Sequence, residues 1–290
     1  MFIDINVHPD FYSDINLDKT KETLRHNLLN IHHNGLASLN HISNQMNCAS
    51  IDRMVLMAND CSSTDKTVLV SNEEVKKLID LGEKKFLGFA SVDPNSDNYL
   101  QQLEFAFSNL KLSGLVLYPA RQYFYPNEEK VADIYQLCIA YNKPIMFQCG
   151  LNWEPNALSK YVHPLHFEEV AIKYPTLKLC ISGFGWPWVR ETAMLLLKYP
   201  NIYSDTSVLY FDSAREFYSQ IFTKDIPYTW IDRSLRHQVM FGSNNPRFEQ
   251  IRMAKALSNL GYRDSTVELI KGQNALDFLG ISNTGEKSVC

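Results

Sequence analysis

Phe2-Ile3-Asp4-Ile5-Asn6-Val7-His8-Pro9, close to the start of the chain, reads as a β-strand that ends in two polar side chains. Residues two apart on a strand point to the same side, so Asn6 and His8 are expected to project together from the end of this strand. What the pair can do depends on which side chains the other strands bring to the same point.

Seven more runs of β-branched and aromatic residues follow, and amphipathic helical patterns separate most of them. The eight predicted strands are Phe2–Asn6, Arg53–Ala58, Phe86–Ala90, Gly114–Tyr118, Pro144–Gln148, Leu177–Ser182, Asn201–Asp205 and Gln238–Gly242. The predicted helices are Ser71–Leu81, Tyr99–Asn109, Lys130–Tyr141, Leu165–Tyr174, Val189–Lys198, Phe248–Leu260 and Asp264–Leu279. This alternation indicates an α/β fold with a parallel sheet, and eight units favour the closed (β/α)8 TIM barrel. The first strand is not followed by a glycine-rich phosphate loop, which argues against a dinucleotide-binding fold.

Length and composition agree with a single barrel domain. The chain has 290 residues, of which 45% are hydrophobic and 21% charged, and both values are ordinary for one (β/α)8 barrel. We expect one domain over residues 1–282 and a loose polar tail over residues 283–290. The net charge of −4 gives no sign of a nucleic-acid partner.

The chain is expected to be cytoplasmic. It begins with a strand-like run rather than a signal peptide, and no apolar stretch approaches the roughly 20 residues that cross a bilayer, so no membrane partner is expected. Six cysteines are scattered along the chain without a Cys-x-x-Cys pair, which favours reduced thiols over a disulfide framework.

The chemistry of a TIM barrel lies at the C-terminal ends of its strands and on the loops that follow them. The first predicted strand ends in Asn6 and His8. The other strands lead into Asn59-Asp60-Cys61, Ser91-Val92-Asp93-Pro94, Tyr118-Pro119-Ala120-Arg121, Gln148-Cys149-Gly150, Ser182-Gly183-Phe184-Gly185, Asp205-Thr206-Ser207 and Gly242-Ser243-Asn244-Asn245-Pro246.

Seven motifs, in order along nearly the whole chain, resemble the amidohydrolase superfamily. The resemblance is to its amidohydrolase-related branch, which contains aminocarboxymuconate-semialdehyde and resorcylate decarboxylases. The motifs are Ile3-Asp4-Ile5-Asn6-Val7-His8-Pro9, Gly88-Phe89-Ala90-Ser91-Val92-Asp93-Pro94, Pro144-Ile145-Met146-Phe147-Gln148-Cys149-Gly150, residues 174–185, Asn201-Ile202-Tyr203-Ser204-Asp205-Thr206-Ser207, Phe241-Gly242-Ser243-Asn244-Asn245-Pro246 and Gly272-Gln273-Asn274-Ala275. The resemblance implies a TIM barrel with a zinc centre and, if the protein is an enzyme, hydrolase or carboxy-lyase activity.

The same resemblance aligns the family's metal ligands with residues of other types. The first-strand histidine becomes Asn6, the fifth- and sixth-strand histidines become Gln148 and Gly183, and the eighth-strand aspartate becomes Asn244. Zinc needs about three or four imidazole, thiolate or carboxylate ligands, which one remaining histidine and neutral amides do not supply. We therefore expect no metal cofactor and no metal-activated water.

His8 is the remaining member of the family's set and the one candidate catalytic residue. It could act as a general base, donate a hydrogen bond to a ligand, or be a relic that is hydrogen-bonded in the barrel mouth. Asn6, Gln148 and Asn244 could line a pocket retuned for a neutral polar ligand, or could passively fill a vacated metal site. Asp205 could contribute to the same pocket or cap the helix that follows it.

Four further residues are expected to contact a ligand. Arg121 and Arg247 follow the fourth and eighth strands and could hold a carboxylate through paired hydrogen bonds, although surface ion pairs would explain them equally. Tyr118 stands where many family members have a histidine before proline. Trp186 could cover a flat organic molecule, or could simply pack over the barrel rim.

Three functions are compatible with this sequence. The first is binding of a small organic ligand, such as a carboxylate or an aromatic compound, in the barrel mouth without metal-dependent catalysis. The second is metal-independent hydrolysis of a lactone or activated ester, with His8 as the base. The third is a metal-dependent hydrolase or decarboxylase whose ligands are rebuilt from His163, His166, Glu154 or Asp60. The resemblance also makes a homodimer an expectation.

Overall fold

The computed structural model of the chain describes residues 1–208 and 213–281. The predicted tail, residues 283–290, lies outside the described residues. Among the described helices, none combines the length and the apolar character needed to cross a membrane.

Ten strands are found in the described residues, eight of them in one parallel sheet. In chain order the strands are β1 Ile3–Val7, β2 Arg53–Met57, β3 Asn59–Asp60, β4 Val68–Val70, β5 Phe86–Ala90, β6 Gly114–Leu117, β7 Ile145–Phe147, β8 Leu179–Ile181, β9 Ile202–Asp205 and β10 Val239–Met240. The sheet has the order β1-β2-β5-β6-β7-β8-β9-β10, and β3 and β4 form a separate antiparallel pair. All eight predicted strands are therefore present, most of them shorter by one or more residues at an end.

Thirteen α-helices lie between and after these strands in the described part of the chain. They are α1 Lys19–Leu29, α2 Leu39–Ala49, α3 Ser62–Asp65, α4 Asn72–Leu81, α5 Tyr99–Ser108, α6 Pro119–Gln122, α7 Ala132–Ala140, α8 His166–Lys173, α9 Val189–Lys198, α10 Ala214–Ser219, α11 Gln250–Ser258, α12 Asp264–Glu268 and α13 Asn274–Leu279. Short 3-10 turns occupy Ser13–Ile15, Glu129–Val131, Ser159–Tyr161 and Ser182–Gly185, and π-helical turns occupy Gln220–Asp225, Trp230–Leu235 and Leu269–Gln273.

Backbone hydrogen bonds close the sheet between its first and last strands. The Ile5 amide donates to the carbonyl oxygen of Phe241 at 3.0 Å, and the Asn244 amide donates to Asn6 at 2.9 Å. Beyond the strand ends, the His8 amide donates to Asn245 at 2.7 Å. We call this line of contacts the closing seam. It turns the eight parallel strands into a (β/α)8 barrel, as predicted.

The pairing of β1 with β2 shifts its register between Asp4 and Val7, and this shift re-aims the end of the strand. Ile3 and Ile5 belong to the apolar cluster inside the barrel. The Asp4 side chain instead accepts a hydrogen bond from Gln250, at the start of α11, at 2.7 Å. Despite following Ile5 directly, Asn6 also contacts residues of the barrel interior. A regular strand would not place both neighbours on the inner side.

Candidate functional site

A pocket lies over the C-terminal ends of the strands, at the mouth of the barrel. It encloses about 710 Å³, counting the space at its open mouth. Of the nine side chains predicted to act at the site, seven line this pocket: His8, Tyr118, Arg121, Gln148, Trp186, Asn244 and Arg247. The fold therefore brings most of the predicted residues together in this pocket.

The other two predicted residues, Asn6 and Asp205, lie beneath the pocket floor and are fully buried. The Asn6 amide nitrogen donates to the Asp205 carboxylate at 3.2 Å and to the Ser207 hydroxyl at 3.1 Å. Its amide oxygen accepts a hydrogen bond from Gln148 at 3.2 Å. Both the nitrogen and the oxygen of the Asn6 side-chain amide therefore have hydrogen-bond partners within the protein.

The neighbours of Asn6 extend this arrangement into a connected set, which we call the amide network: Asn6, Gln148, Ser182, Asp205 and Ser207. The Gln148 oxygen accepts from the Ser182 hydroxyl at 3.2 Å. One Asp205 oxygen accepts from the Ser207 amide and hydroxyl, and also from the backbone amide of Gly183 at 2.8 Å. Burial raises the pKa of Asp205, and these hydrogen bonds oppose that rise.

Two members of the amide network, Asn6 and Gln148, stand at positions that the family resemblance aligns with metal ligands. Asn6 and Gln148 use their side-chain oxygens as hydrogen-bond acceptors, and Gly183 has no side chain to offer. Within residues 1–208 and 213–281, no three His, Cys, Asp or Glu side chains are grouped in a way that could hold a metal ion. This donor set does not fit a zinc ion, which takes imidazole, thiolate or carboxylate ligands.

His8 lines the pocket with an imidazole that is partly exposed. Neither ring nitrogen has a hydrogen-bond partner among the described residues, and the ring lies 6.4 Å from that of Tyr118 between centroids. Burial, together with the positive charges of Arg247 and Arg121, lowers the pKa of His8 to about 3. His8 is thus a neutral imidazole at physiological pH, able to donate one hydrogen bond and to accept one.

Arg121 is almost fully buried and committed to protein partners. Its guanidinium pairs with the Asp65 carboxylate and donates to the Asn59 amide oxygen at 3.1 Å. It also lies over the ring of Tyr118, at 5.7 Å from the ring centroid. The Tyr118 hydroxyl donates to the backbone oxygen of Ala58 at 2.7 Å. The predicted bidentate contact with a ligand carboxylate would have to displace these partners.

Arg247 is also engaged, although less deeply buried. It donates to the backbone oxygen of Leu29 at 2.6 Å and lies 3.6 Å from a carboxylate oxygen of Glu154. Its guanidinium stacks over Trp153 at 5.8 Å from the ring centroid. Trp186 lines the pocket and packs edge-on against Phe217, with centroids 5.7 Å apart. The two tryptophans give the pocket flat apolar surface.

The alternative set of metal ligands does not converge. Glu154 lines the pocket and faces Arg247, whereas His163, His166 and Asp60 are not among the lining residues. His166 contacts the backbone oxygen of Lys160 at 2.9 Å, and His163 packs against Trp188. One Asp60 oxygen accepts from the Ser62 amide at 3.0 Å.

Asp10 is a buried carboxylate of the pocket that the sequence analysis missed. It lies two residues beyond His8, lines the pocket, and is only 2% exposed. Its Oδ1 atom has no hydrogen-bond partner among the described residues. Burial raises the pKa of Asp10, against the opposing charges of Arg25 and Arg121. The one signal for it in the sequence was its position directly after the first strand's His-Pro.

Solved structures with the same fold include several decarboxylases. An uncharacterized TIM-barrel protein from Bordetella bronchiseptica is 19% identical, with a TM-score of 0.75 over 96% of this chain and 98% of that one. The 5-carboxyvanillate decarboxylase of Sphingomonas paucimobilis is 11% identical, with a TM-score of 0.64 over 97% and 99%. The 2,6-dihydroxybenzoate decarboxylase of Rhizobium is 13% identical, with a TM-score of 0.66 over 96% and 98%. At these identities the likeness shows the fold.

None of the curated proteins matches the chain significantly in sequence. The profile of the amidohydrolase family, in contrast, matches residues 51–281, which is most of the chain. It begins just before β2 and ends just after α13, so it spans seven of the eight barrel strands. The chain belongs to the amidohydrolase family.

Proposed function

We propose that this barrel binds a small organic molecule in its mouth without the help of a metal ion. The observation that carries the proposal is the amide network, in which Asn6 is buried and hydrogen-bonded on both sides of its amide group. A metal ion at these positions would need side-chain oxygens that the network already uses. The floor of the pocket beneath the proposed ligand therefore consists of side chains that are hydrogen-bonded to one another.

The size and walls of the pocket support a ligand of the size of one aromatic ring or somewhat larger. Pockets for small molecules usually have volumes of a few hundred to about 1,000 Å³ and combine apolar walls with a few polar groups. Leu151, Trp153 and Trp186 supply apolar surface here. The related structures named above include decarboxylases of carboxylated aromatic compounds, which agrees with this size.

His8 is poorly arranged as a catalytic base, which makes the hydrolase alternative weaker. A histidine that activates water usually has a second group that orients the ring and stabilises its positive charge. No described residue hydrogen-bonds the His8 ring, and both Arg121 and Arg247 disfavour its protonated form. Because the protonated form of His8 is strongly disfavoured, the ring is a weak proton acceptor and would activate water poorly. His8 therefore serves better as a neutral hydrogen-bonding group for a bound ligand.

Metal analysis and ligand titration test the proposal together. Purified protein, dialysed with and without EDTA, should contain far less than one equivalent of zinc, manganese or iron by mass spectrometry. A library of small aromatic fragments, screened by ligand-observed NMR, should include binders that the metal-free protein retains. Trp186→Ala should weaken those binders by about tenfold, because it removes apolar pocket wall. Trp230→Ala, at an exposed tryptophan that does not line the pocket, is the matched control.

Two results would contradict the proposal. One equivalent of metal that stays bound through dialysis would favour a metal-dependent hydrolase or decarboxylase. Turnover of lactones or aryl esters by the wild type, lost in His8→Ala, would favour the hydrolase instead.

A further inference from the structure

Three side chains that line the pocket keep unused hydrogen-bonding capacity. Among the described residues, no partner is found for the side-chain amide of Asn244, the His8 ring or the Asp10 Oδ1 atom. The two arginines around them are committed, since Arg121 pairs with Asp65 and Arg247 with Glu154. The three groups can therefore hydrogen-bond to the polar groups of a ligand.

The closing seam brings these three residues together. His8 and Asp10 follow β1, and Asn244 follows β10, which is the last strand of the barrel. The seam hydrogen bonds from Asn244 to Asn6 and from His8 to Asn245 tie the two segments to each other. A ligand therefore meets all three groups on one side of the pocket.

Asp10 is the most informative of the three because one oxygen of its buried carboxylate, Oδ1, has no donor among the described residues. Arg25 lies nearby, but its guanidinium donates to the backbone oxygen of Asp10 at 3.0 Å. Leaving a buried polar group unpaired costs free energy, and more so for a charged one. A ligand that donates a hydrogen bond to Asp10 would recover that cost on binding.

We propose that Asp10 recognises the polar end of the ligand, and that this end is an uncharged hydroxyl or amide group that donates a hydrogen bond. The inference rests on the proposed function, which it deepens by naming the ligand's chemistry. Asp10 and Glu154 are negative at this end of the pocket, while Arg121 and Arg247 are positive. These charges oppose one another, so neither a carboxylate nor a cation is favoured over an uncharged group. His8 and Asn244 complete the contacts, because each can donate or accept.

Four benzyl compounds of similar size test this chemistry: benzyl alcohol, benzyl methyl ether, benzylamine and sodium benzoate. Their affinities for the full-length protein are measured by NMR titration at neutral pH. Benzyl alcohol should bind at least about tenfold more tightly than the ether, which has no donor but keeps the ring and the oxygen. Benzylamine and benzoate should also bind more weakly than the alcohol.

Asp10 is tested with two variants. Asp10→Leu is close to isosteric and removes the acceptor, so benzyl alcohol should bind no better than the ether to this variant. Asp10→Asn keeps an acceptor oxygen without the charge and should retain part of the preference. Thermal unfolding of both variants is measured in parallel, and a variant that loses the preference for the alcohol while it keeps a cooperative transition near that of the wild type assigns Asp10 to ligand recognition. A merely structural role for Asp10 would instead lower the melting temperature.

Equal affinity for the alcohol and the ether, a preference for benzylamine or benzoate, or no binding of any of the four overturns the assignment. So does an alcohol preference that survives in Asp10→Leu. If other fragments still bind the metal-free protein, the proposed function stands while this inference fails. Bound stoichiometric metal would instead remove the proposed function.

Discussion

Asn6 and Asn244 are the same residue type at neighbouring strand ends, yet they have opposite roles in the structure. Asn6 is fully buried with three side-chain hydrogen bonds, whereas the partly exposed Asn244 side chain has no partner among the described residues. Asn6→Ala should reduce the free energy of unfolding by about 2–4 kcal/mol, because groups on Asp205, Ser207 and Gln148 lose their partner. Chemical denaturation measures this change.

Asn244→Gly is the matched control. Asn244 has a φ of 58°, a backbone conformation that glycine adopts without strain, so this variant should stay within about 0.5 kcal/mol of the wild type. A loss of similar size in both variants would mean that Asn6 does not derive its importance from the amide network.

His8 should remain neutral far below the usual range for histidine. Burial lowers its pKa from 6.5 to about 3, and Arg247 contributes to the shift, so NMR of the His8 ring should show no protonation down to about pH 4. The unfolded ring takes up a proton below pH 6.5 and the folded ring does not. Stability therefore falls as the pH decreases through this window, by up to about 1.4 kcal/mol per pH unit. The fall should be smaller in His8→Gln.

Arg247→Gln tests the electrostatic part of this shift. Removing the guanidinium charge should raise the pKa of His8, while Arg190→Gln, at an exposed position on α9 outside the pocket, should leave it unchanged. A normal titration of His8 near pH 6.5 in the wild type would show that the ring is well solvated.

At the scale of elements, α1 holds the segment that follows β1. Its Arg25 side chain is fully buried and donates to Leu69 at 2.9 Å, to the backbone oxygen of Asp10 at 3.0 Å and to the Asn16 side chain at 2.7 Å. One nitrogen also lies 3.3 Å from the Glu74 carboxylate, in the first turn of α4. The residue thus connects two helices and the loop that carries Asp10.

Arg25→Ala should cost about 3–5 kcal/mol of stability, since it leaves several buried acceptors and part of the Glu74 charge without a partner. Thermal and chemical unfolding measure the loss. Arg252→Ala removes an exposed arginine of α11 that pairs with Glu249, and should change stability by less than about 1 kcal/mol. Equal effects at the two positions would rule out the bridging role of Arg25.

At the scale of the whole molecule, closure of the barrel makes a measurable prediction. The Ile5 and Asn244 amides donate across the closing seam, so their hydrogen exchange should be as slow as that of Gln148, which donates to Leu117 inside the sheet. Exchange can be followed residue by residue by NMR. Much faster exchange at the two seam amides would indicate an open sheet with two edges.

The sequence predicted the barrel well because each strand is a short run of buried apolar residues with its own local signal. It did not predict the antiparallel pair of β3 and β4, or α1 and α2 in the first connection, where polar residues are numerous. Strand ends shifted by one or two residues, since pairing partners rather than local sequence decide where a strand stops.

The sequence predicted which residues lie near the barrel mouth better than it predicted how deeply each one is buried. Seven candidates line the pocket, but Asn6 and Asp205 lie below its floor, and Asn6 falls within the register shift of β1. Asp10 was missed because an isolated aspartate in a loop has no periodicity, and its burial depends on Arg25 and the surrounding loops. Which polar groups remain without a partner is a property of the folded molecule alone.

The closing seam also sets the order in which the pocket can come into existence during synthesis. His8 and Asp10 leave the ribosome more than two hundred residues before Asn244, which follows β10, the strand that closes the barrel against β1. Until β10 is made, one edge of β1 stays unpaired. His8 and Asp10 are then present without Asn244, the third group that faces the ligand. A nascent chain stopped before β10 could not bind the ligand, however much of its barrel had formed.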